Sequence, residues 1–162
     1  MLVLGIDPGT AITGYGLVDH KSGKEKLITY GTITTPAGMK MHLRLCIINQ
    51  EIDRLIAEYK PDAVAVEEIF YHKNAKTVIT VAQSRGVVLM TAASAGVEVA
   101  EYTPLQVKQA VVGYGNAEKK QVQIMVQKIL SMQQIPRPDD AADALAIAIC
   151  HIHSYRLGAL YK

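Results

Sequence analysis

MLVLGIDPGTAITGYGLVD, residues 1–19, is the stretch on which the reading of the whole chain turns. Leu2 to Asp7 is a run of strand-forming apolar residues that stops on a carboxylate. Pro8 and Gly9 follow at once, which suits a tight reversal in which an Asp side chain bonds its own backbone. Thr13 to Asp19 then reads as a second strand. Asp7 is open to two readings: the first residue of a turn, or a carboxylate carried to a reaction site by a buried strand.

Working outward, Glu25 to Thr35 reads as a third strand, reached through the polar reversal Lys21-Ser22-Gly23-Lys24, so the N-terminus is an antiparallel meander. From Leu45 the apolar residues return at Ile48, Ile52, Leu55, Ile56 and Tyr59, a helical spacing that stops before Pro61. Ala63 to Glu67 (AVAVE) has the uniformly apolar pattern of a strand covered on both faces. A helical stretch from about Asn74 to Ala95, broken or bent near Gly86, leads to a strand from Val97 to Tyr102. Thr103-Pro104 has the cap and first-turn proline of a short helix through Val112. Asn116 can cap another helix, Ala117 to about Met132, and beyond Pro136 to Pro138 a last helix starts near Asp139. The order β-β-β-α-β-α-β-α-α-α predicts an α/β fold, a mixed sheet of about five strands with helices on both faces. A chain of 162 residues, 49% hydrophobic, is long enough for one such core and short for two, so one domain is expected over residues 1–162.

Charge and composition narrow the function classes. No apolar run reaches the eighteen or so residues of a membrane span, and Leu2 to Ile6 is too short for a secretory signal, so a soluble, cytoplasmic protein with no membrane partner is expected. Cys46 and Cys150 lie in apolar helical patterns without metal-ligand spacing and read as reduced core residues. A net charge of +2 makes no global case for a polyanionic partner, so any nucleic-acid surface must be local.

Besides Asp7, two more apolar stretches meet acids abruptly. AVAVEE puts Glu67 and Glu68 at the end of a buried strand, and RPDDAADALAIAIC puts Asp139, Asp140 and Asp143 at the start of the most apolar helix. Asp139 suits an N-cap, and acids in a first helical turn favour the macrodipole. Asp143 is different, because its neighbours are Ala141, Ala142, Ala144, Leu145 and Ala146, and an unpaired charge inside packed protein is costly. Asp140 and Asp143 share one helical face about a turn apart. If that face meets the C-terminal ends of the first and fourth strands, Asp7 and Glu67 converge on it, and crowded carboxylates raise one another's pKa unless a cation neutralises them. Oxygen ligands without His or Cys suit Mg²⁺ or Mn²⁺.

GIDPGTAITGYGLVD, AVEEIF, AEKKQV and DDAADALAIAICH, in this order over nearly the whole chain, resemble the RuvC family of bacterial Holliday-junction resolvases, within the ribonuclease H superfamily. The resemblance implies a ribonuclease H-like fold and a metal-dependent endonuclease that resolves four-way DNA junctions in recombination and repair. It puts the catalytic, metal-binding acids on Asp7, Glu67, Asp140 and Asp143 and leaves out Glu68 and Asp139. It also implies two Mg²⁺ ions per subunit, replaceable by Mn²⁺ and about 3.5–4 Å apart, one activating water and the other stabilising the leaving oxygen. The products would carry 5′-phosphate and 3′-hydroxyl ends. The partners it implies are four-way junction DNA, a second copy of the chain in a homodimer, and branch-migration motor proteins of the RuvA and RuvB type.

The segment after Glu67 carries Ile69, Phe70, Tyr71, His72, Lys73 and Lys76. Phe70 is the chain's one Phe. A lone Phe after a strand is commonly core, whereas an apolar wedge can unstack a base step, and the family places an aromatic here at the junction crossover. Lys108 and Lys119 match family positions near the active site and read as phosphate contacts, although the bare residues are equally consistent with solvated surface. Arg85 suits either a phosphate contact or a turn cap and is not assigned, and His151 and His153 are given no metal. Val78, Val81, Ala82, Val88, Leu89 and Ala92, on the helix from about Asn74, either pack on the sheet or form a dimer interface. Competing readings are an ATPase of the actin and Hsp70 type, disfavoured because the chain lacks a second phosphate loop; a junction-binding protein with a vestigial site; and a nuclease of the same fold acting on RNA:DNA hybrids. Phe70→Ala is expected to slow junction cleavage much more than it weakens junction binding, with Phe70→Tyr or Trp retaining much of the activity. A lowered melting temperature with little kinetic effect would identify Phe70 as core.

Overall fold

The computed structural model describes residues 1–69 and 75–160; Phe70, with Tyr71, His72 and Lys73, lies outside the described residues. Strands β1 (Leu2–Asp7), β2 (Ile12–Lys21), β3 (Lys24–Thr34), β4 (Ala63–Glu67) and β5 (Glu98–Tyr102) form a five-stranded sheet in the order β3-β2-β1-β4-β5. β1, β2 and β3 are antiparallel neighbours, while β4 runs parallel to β1 and β5 parallel to β4. The β2–β3 reversal is tight because Ser22 and Gly23 both have positive φ, 54° and 78°, which matches the twist of paired strands.

Among the described residues five helices cover the sheet: α1 (Met41–Tyr59) and α2 (Ala75–Ser94) on one face, and α3 (Pro104–Val112), α4 (Lys119–Ile129) and α5 (Asp139–Leu160) on the other. Side chains alternate along each strand. Leu4, Ile6, Val64 and Val66 therefore enter the core with Ile48, Ile52 and Leu55 of α1 and Val88 and Ala92 of α2. Val3 and Ala65 enter the second core, beneath α5. By the same alternation Gly5, Asp7 and Glu67 belong to the α5 face.

α5 lies against bare backbone. A Cβ on Gly5 would fall 2.1 Å from the carbonyl oxygen of Ala144, and one on Gly14 would fall 1.9 Å from that of Asp140. No side chain fits at either place. From the helix side, Ala141, Ala144 and Ala148 are fully buried and small, so helix and strands meet at closer range than larger residues allow.

Several expectations need correction. α1 begins at Met41 rather than Leu45, because its first turn is largely solvated and carries no apolar period. α2 runs unbroken through Gly86, which faces open space, so its flexibility costs propensity without bending the helix. Val88 and Ala92 are buried against the sheet, not offered to a partner. The exposed stripe of α2 is instead Ile79, Ala82, Gly86 and Met90, with Ile79 67% and Met90 57% accessible. α4 begins at Lys119 with Glu118 as its cap, not Asn116, and the Glu118 N–H donates to Gln121 Oε1 at 2.7 Å. Asp139 is the first residue of α5 rather than its cap.

Gly14→Ala should lower the melting temperature by about 3–10 °C, the range that overpacking of 1–3 kcal/mol gives in a domain of this size. Gly38, with nothing within 4 Å of a built Cβ, is the control and should shift it little on replacement by Ala. Thermal unfolding followed by circular dichroism distinguishes them.

Candidate active site

β1 and β4 end side by side. Their parallel pairing runs from Val3↔Ala63 to Ile6↔Val66, and one step beyond it stand Asp7 and Glu67, both on the α5 face. Across the antiparallel ladder Asp7 pairs with Gly14, the residue on which the Asp140 backbone rests. α5 therefore begins directly over the end of β1. Asp140 and Asp143 rise from the same helical face one turn apart. All four acids named from the sequence reach this end of the sheet.

Their electrostatics register the crowding. The Asp7 carboxyl is pushed up from 3.8 to about 8, chiefly by burial and then by the charges of Glu67, Asp143 and Asp140, with Lys119 acting the other way. Asp143 is also held above the ordinary carboxylate range, by burial first, while its hydrogen bond from Lys119 pulls it down. Lys119 Nζ lies 3.0 Å from Asp143 Oδ2 and 3.7 Å from Asp139 Oδ2. Burial disfavours the lysine's charge, but Asp143, Asp139 and Asp7 outweigh it and raise the ammonium pKa. Asp139 moves the opposite way from Asp7: burial is outweighed by the Gln123 amide, 3.1 Å away, and by Lys119 and Arg137, which hold its carboxyl below the ordinary range. Asp139 thus has three donors, Gln123, Lys119 and Arg137, where Asp143 has Lys119.

A cleft of about 160 Å³ opens beside these acids, lined by Glu67, Asp143, Lys108 and Lys119 with Pro104 and Val107 as its apolar wall. Lys108 arrives on α3, whose start is fixed by a capping box. Thr103 Oγ1 accepts from the Gln106 N–H at 3.1 Å, and the Thr103 N–H donates to Gln106 Oε1 at 2.8 Å. Both assigned lysines border the cleft, whereas Phe70 is outside the described residues.

Among the described residues no three His, Cys, Asp or Glu groups already stand as a metal-binding set, and Asp143 is paired with Lys119 instead. The donor chemistry nonetheless fits a hard divalent cation: the groups are carboxylates, and the raised Asp7 marks a shortage of positive charge that such an ion would fill.

Arg85 does not border the cleft. Its Nε donates to the main-chain oxygen of Glu67 at 3.2 Å from the opposite face. It is the one charge between residues 77 and 97, a signal that could have singled it out. His151 shares a 2.9 Å hydrogen bond with the Tyr102 hydroxyl, and His153 Nδ1 lies 2.9 Å from the Ala110 carbonyl, so both serve packing of α5.

Residues 3–151 match the family model described as crossover junction endodeoxyribonuclease RuvC. A crossover junction endodeoxyribonuclease RuvC from Syntrophomonas wolfei subsp. wolfei is 75% identical over 162 residues, which is all of this chain and 94% of that protein. The structure of Thermus thermophilus RuvC superposes with a TM-score of 0.91 at 38% identity, covering 98% of this chain and 97% of that one. T. thermophilus RuvC in complex with a Holliday junction substrate gives 0.89 at 36% identity, with the same coverage.

The raised Asp7 carboxyl has a signed consequence. Between pH 4 and pH 8 the folded state holds a proton on Asp7 that the unfolded chain has lost, so without divalent metal this group makes stability fall as pH rises. Asp7→Asn should therefore raise the metal-free melting temperature at pH 8 by about 3–8 °C and leave it nearly unchanged at pH 4. Equal shifts at both pH values would contradict the assignment.

Proposed function

The chain belongs to the RuvC family of crossover junction endodeoxyribonucleases and is a Holliday junction resolvase of ribonuclease H-like fold, and we propose that its cutting centre is the cluster of Asp7, Glu67, Asp140 and Asp143. The observation that carries this reading is the convergence of three carboxylate charges on a fourth, half-buried one, Asp7. In this proposal the four acids hold two Mg²⁺ ions, for which Mn²⁺ can substitute. Such ions, when bound, activate a water and neutralise the charge developing on the leaving oxygen of a phosphodiester, giving 5′-phosphate and 3′-hydroxyl ends.

Each protein group has a definable task. Asp7, on the strand beside Glu67 and under the start of α5, would hold the ions together with Glu67 and the α5 acids. Lys119 neutralises Asp143 and Asp139 in the metal-free protein and, with Lys108 on the cleft wall, offers charge to the phosphate of the cut strand. Phe70, three residues beyond Glu67 in sequence, is assigned to opening the crossover by stacking on a base. No side-chain nucleophile is required.

One cluster makes one nick, while resolution requires two. A two-fold homodimer supplies the second cluster and matches the symmetry of the junction. The exposed stripe Ile79, Ala82, Gly86 and Met90 on α2 supports this, since small residues at its middle let a second helix approach closely. The chain acts as one nuclease domain, in the cytoplasm and alongside motor proteins of the RuvA and RuvB type. Among the described residues no helix is long and apolar enough to cross a membrane.

A supercoiled plasmid that extrudes a cruciform tests the whole reading. The wild type should give linear product from the first time points, and Ile79→Glu should give nicked circles that persist. Asp7→Asn, Glu67→Gln, Asp140→Asn and Asp143→Asn should bind the junction but not cut it, because phosphate contacts dominate affinity. An acid variant that cuts at the wild-type rate does not belong to the centre, and linear product from a monomeric protein would remove the dimer.

A further inference from the structure

α2 lies on the face of the sheet opposite the carboxylates, yet two consecutive residues of it reach the exits of both acid-bearing strands. Arg85 Nε donates to the Glu67 carbonyl at 3.2 Å, and the same guanidinium is ion-paired with Glu101 of β5. Ser84, fully buried, shares a 2.9 Å hydrogen bond with the hydroxyl of Thr10, which also lies 2.9 Å from the Thr80 carbonyl. Thr10 stands three residues beyond Asp7. A single turn of α2 thus holds the β1 exit through Ser84 and the β4 exit through Arg85.

The β1–β4 pairing runs to Ile6↔Val66, and on the other side Glu67 pairs with Tyr102. On the β5 side, the Glu68 N–H to Tyr102 carbonyl bond, 2.8 Å, follows the last paired residues. The planar guanidinium donates to two acceptors at fixed angles, and its side chain is only 18% accessible, so its orientation is restricted.

We infer that Arg85, seconded by Ser84, is a positioning residue for resolution: it sets the direction of the Glu67 side chain relative to Asp7, and with it the spacing of the carboxylates that receive the divalent ions. This rests on the reading of Glu67 as a ligand. Partners that orient metal ligands from outside typically change metal affinity by about 10–100-fold when removed.

The test measures Mn²⁺-induced thermal stabilisation of the full chain without DNA, alongside single-turnover cleavage of a bound four-way junction at increasing Mn²⁺. Arg85→Lys keeps a cation near Glu101 but loses the fork, and Ser84→Ala removes the second hold. Glu101→Gln removes the ion pair but keeps the bond to Glu67. Arg85→Lys should move both Mn²⁺ midpoints upward by about tenfold with junction affinity unchanged, and Ser84→Ala should move them in the same direction by less. Glu101→Gln should leave them near wild type. A folded Arg85→Lys with unmoved midpoints, or a shift shared equally by Glu101→Gln, overturns the inference. Glu67→Gln, run in parallel, separates the two levels: if it leaves the midpoints unmoved, Glu67 is not a ligand, and if it moves them while Arg85→Lys does not, only the positioning role fails.

Discussion

The contact on which the rest of the structure depends is that of α5 with the bare backbone of β1 and β2. Where Gly5 and Gly14 lack side chains, the carbonyls of Ala144 and Asp140 occupy the space a Cβ would take. The helix can therefore begin directly over the ends of the strands, and its first two turns deliver Asp140 and Asp143 to the place where β1 and β4 deliver Asp7 and Glu67. An alanine at Gly14 would force the helix away and separate the two pairs of acids. Close packing is here the condition for bringing the four acids together, not only for stability.

That arrangement is unfavourable by itself. A half-buried Asp7 with three other carboxylates nearby is driven toward its protonated form, and the folded protein offsets part of the repulsion with Lys119. Groups held in such an environment are characteristic of sites where local stability is given up for chemistry. The remaining shortage of positive charge is one that a divalent cation would fill. Asp139, satisfied by Gln123, Arg137 and Lys119, has no comparable shortage although it adjoins Asp140 in sequence.

Much of this was legible before the structure, and the reason is local. β1, β4 and the start of α3 carry their own signals: an apolar run stopping on an acid, a run apolar on both faces, a Thr-Pro cap. Asp7, Glu67 and Asp143 stand out because each stops or interrupts an apolar pattern, Asp140 because it shares a helical face with Asp143, and the family resemblance is what separates the four from Glu68 and Asp139. What escaped was settled by contacts distant in sequence. The solvated first turn of α1 has no period to read, Gly86 bends nothing because its side faces open space, and Val88 and Ala92 are claimed by the sheet. The pairing of Lys119 with Asp143 joins residues 24 apart, and the bond from Arg85 to the Glu67 carbonyl spans 18. Neither is written in any local pattern.

The central claim is that four acids from two strands and one helix form a single cation site organised around Asp7. Anomalous diffraction at the manganese edge, from crystals of the full chain soaked in Mn²⁺, tests it most directly. The expected result is two peaks beside the β1 and β4 ends, with an Asp7 oxygen ligating both and Glu67, Asp140 and Asp143 completing the set. Peaks located away from the β1 terminus, or ions there ligated without Asp7, would contradict it.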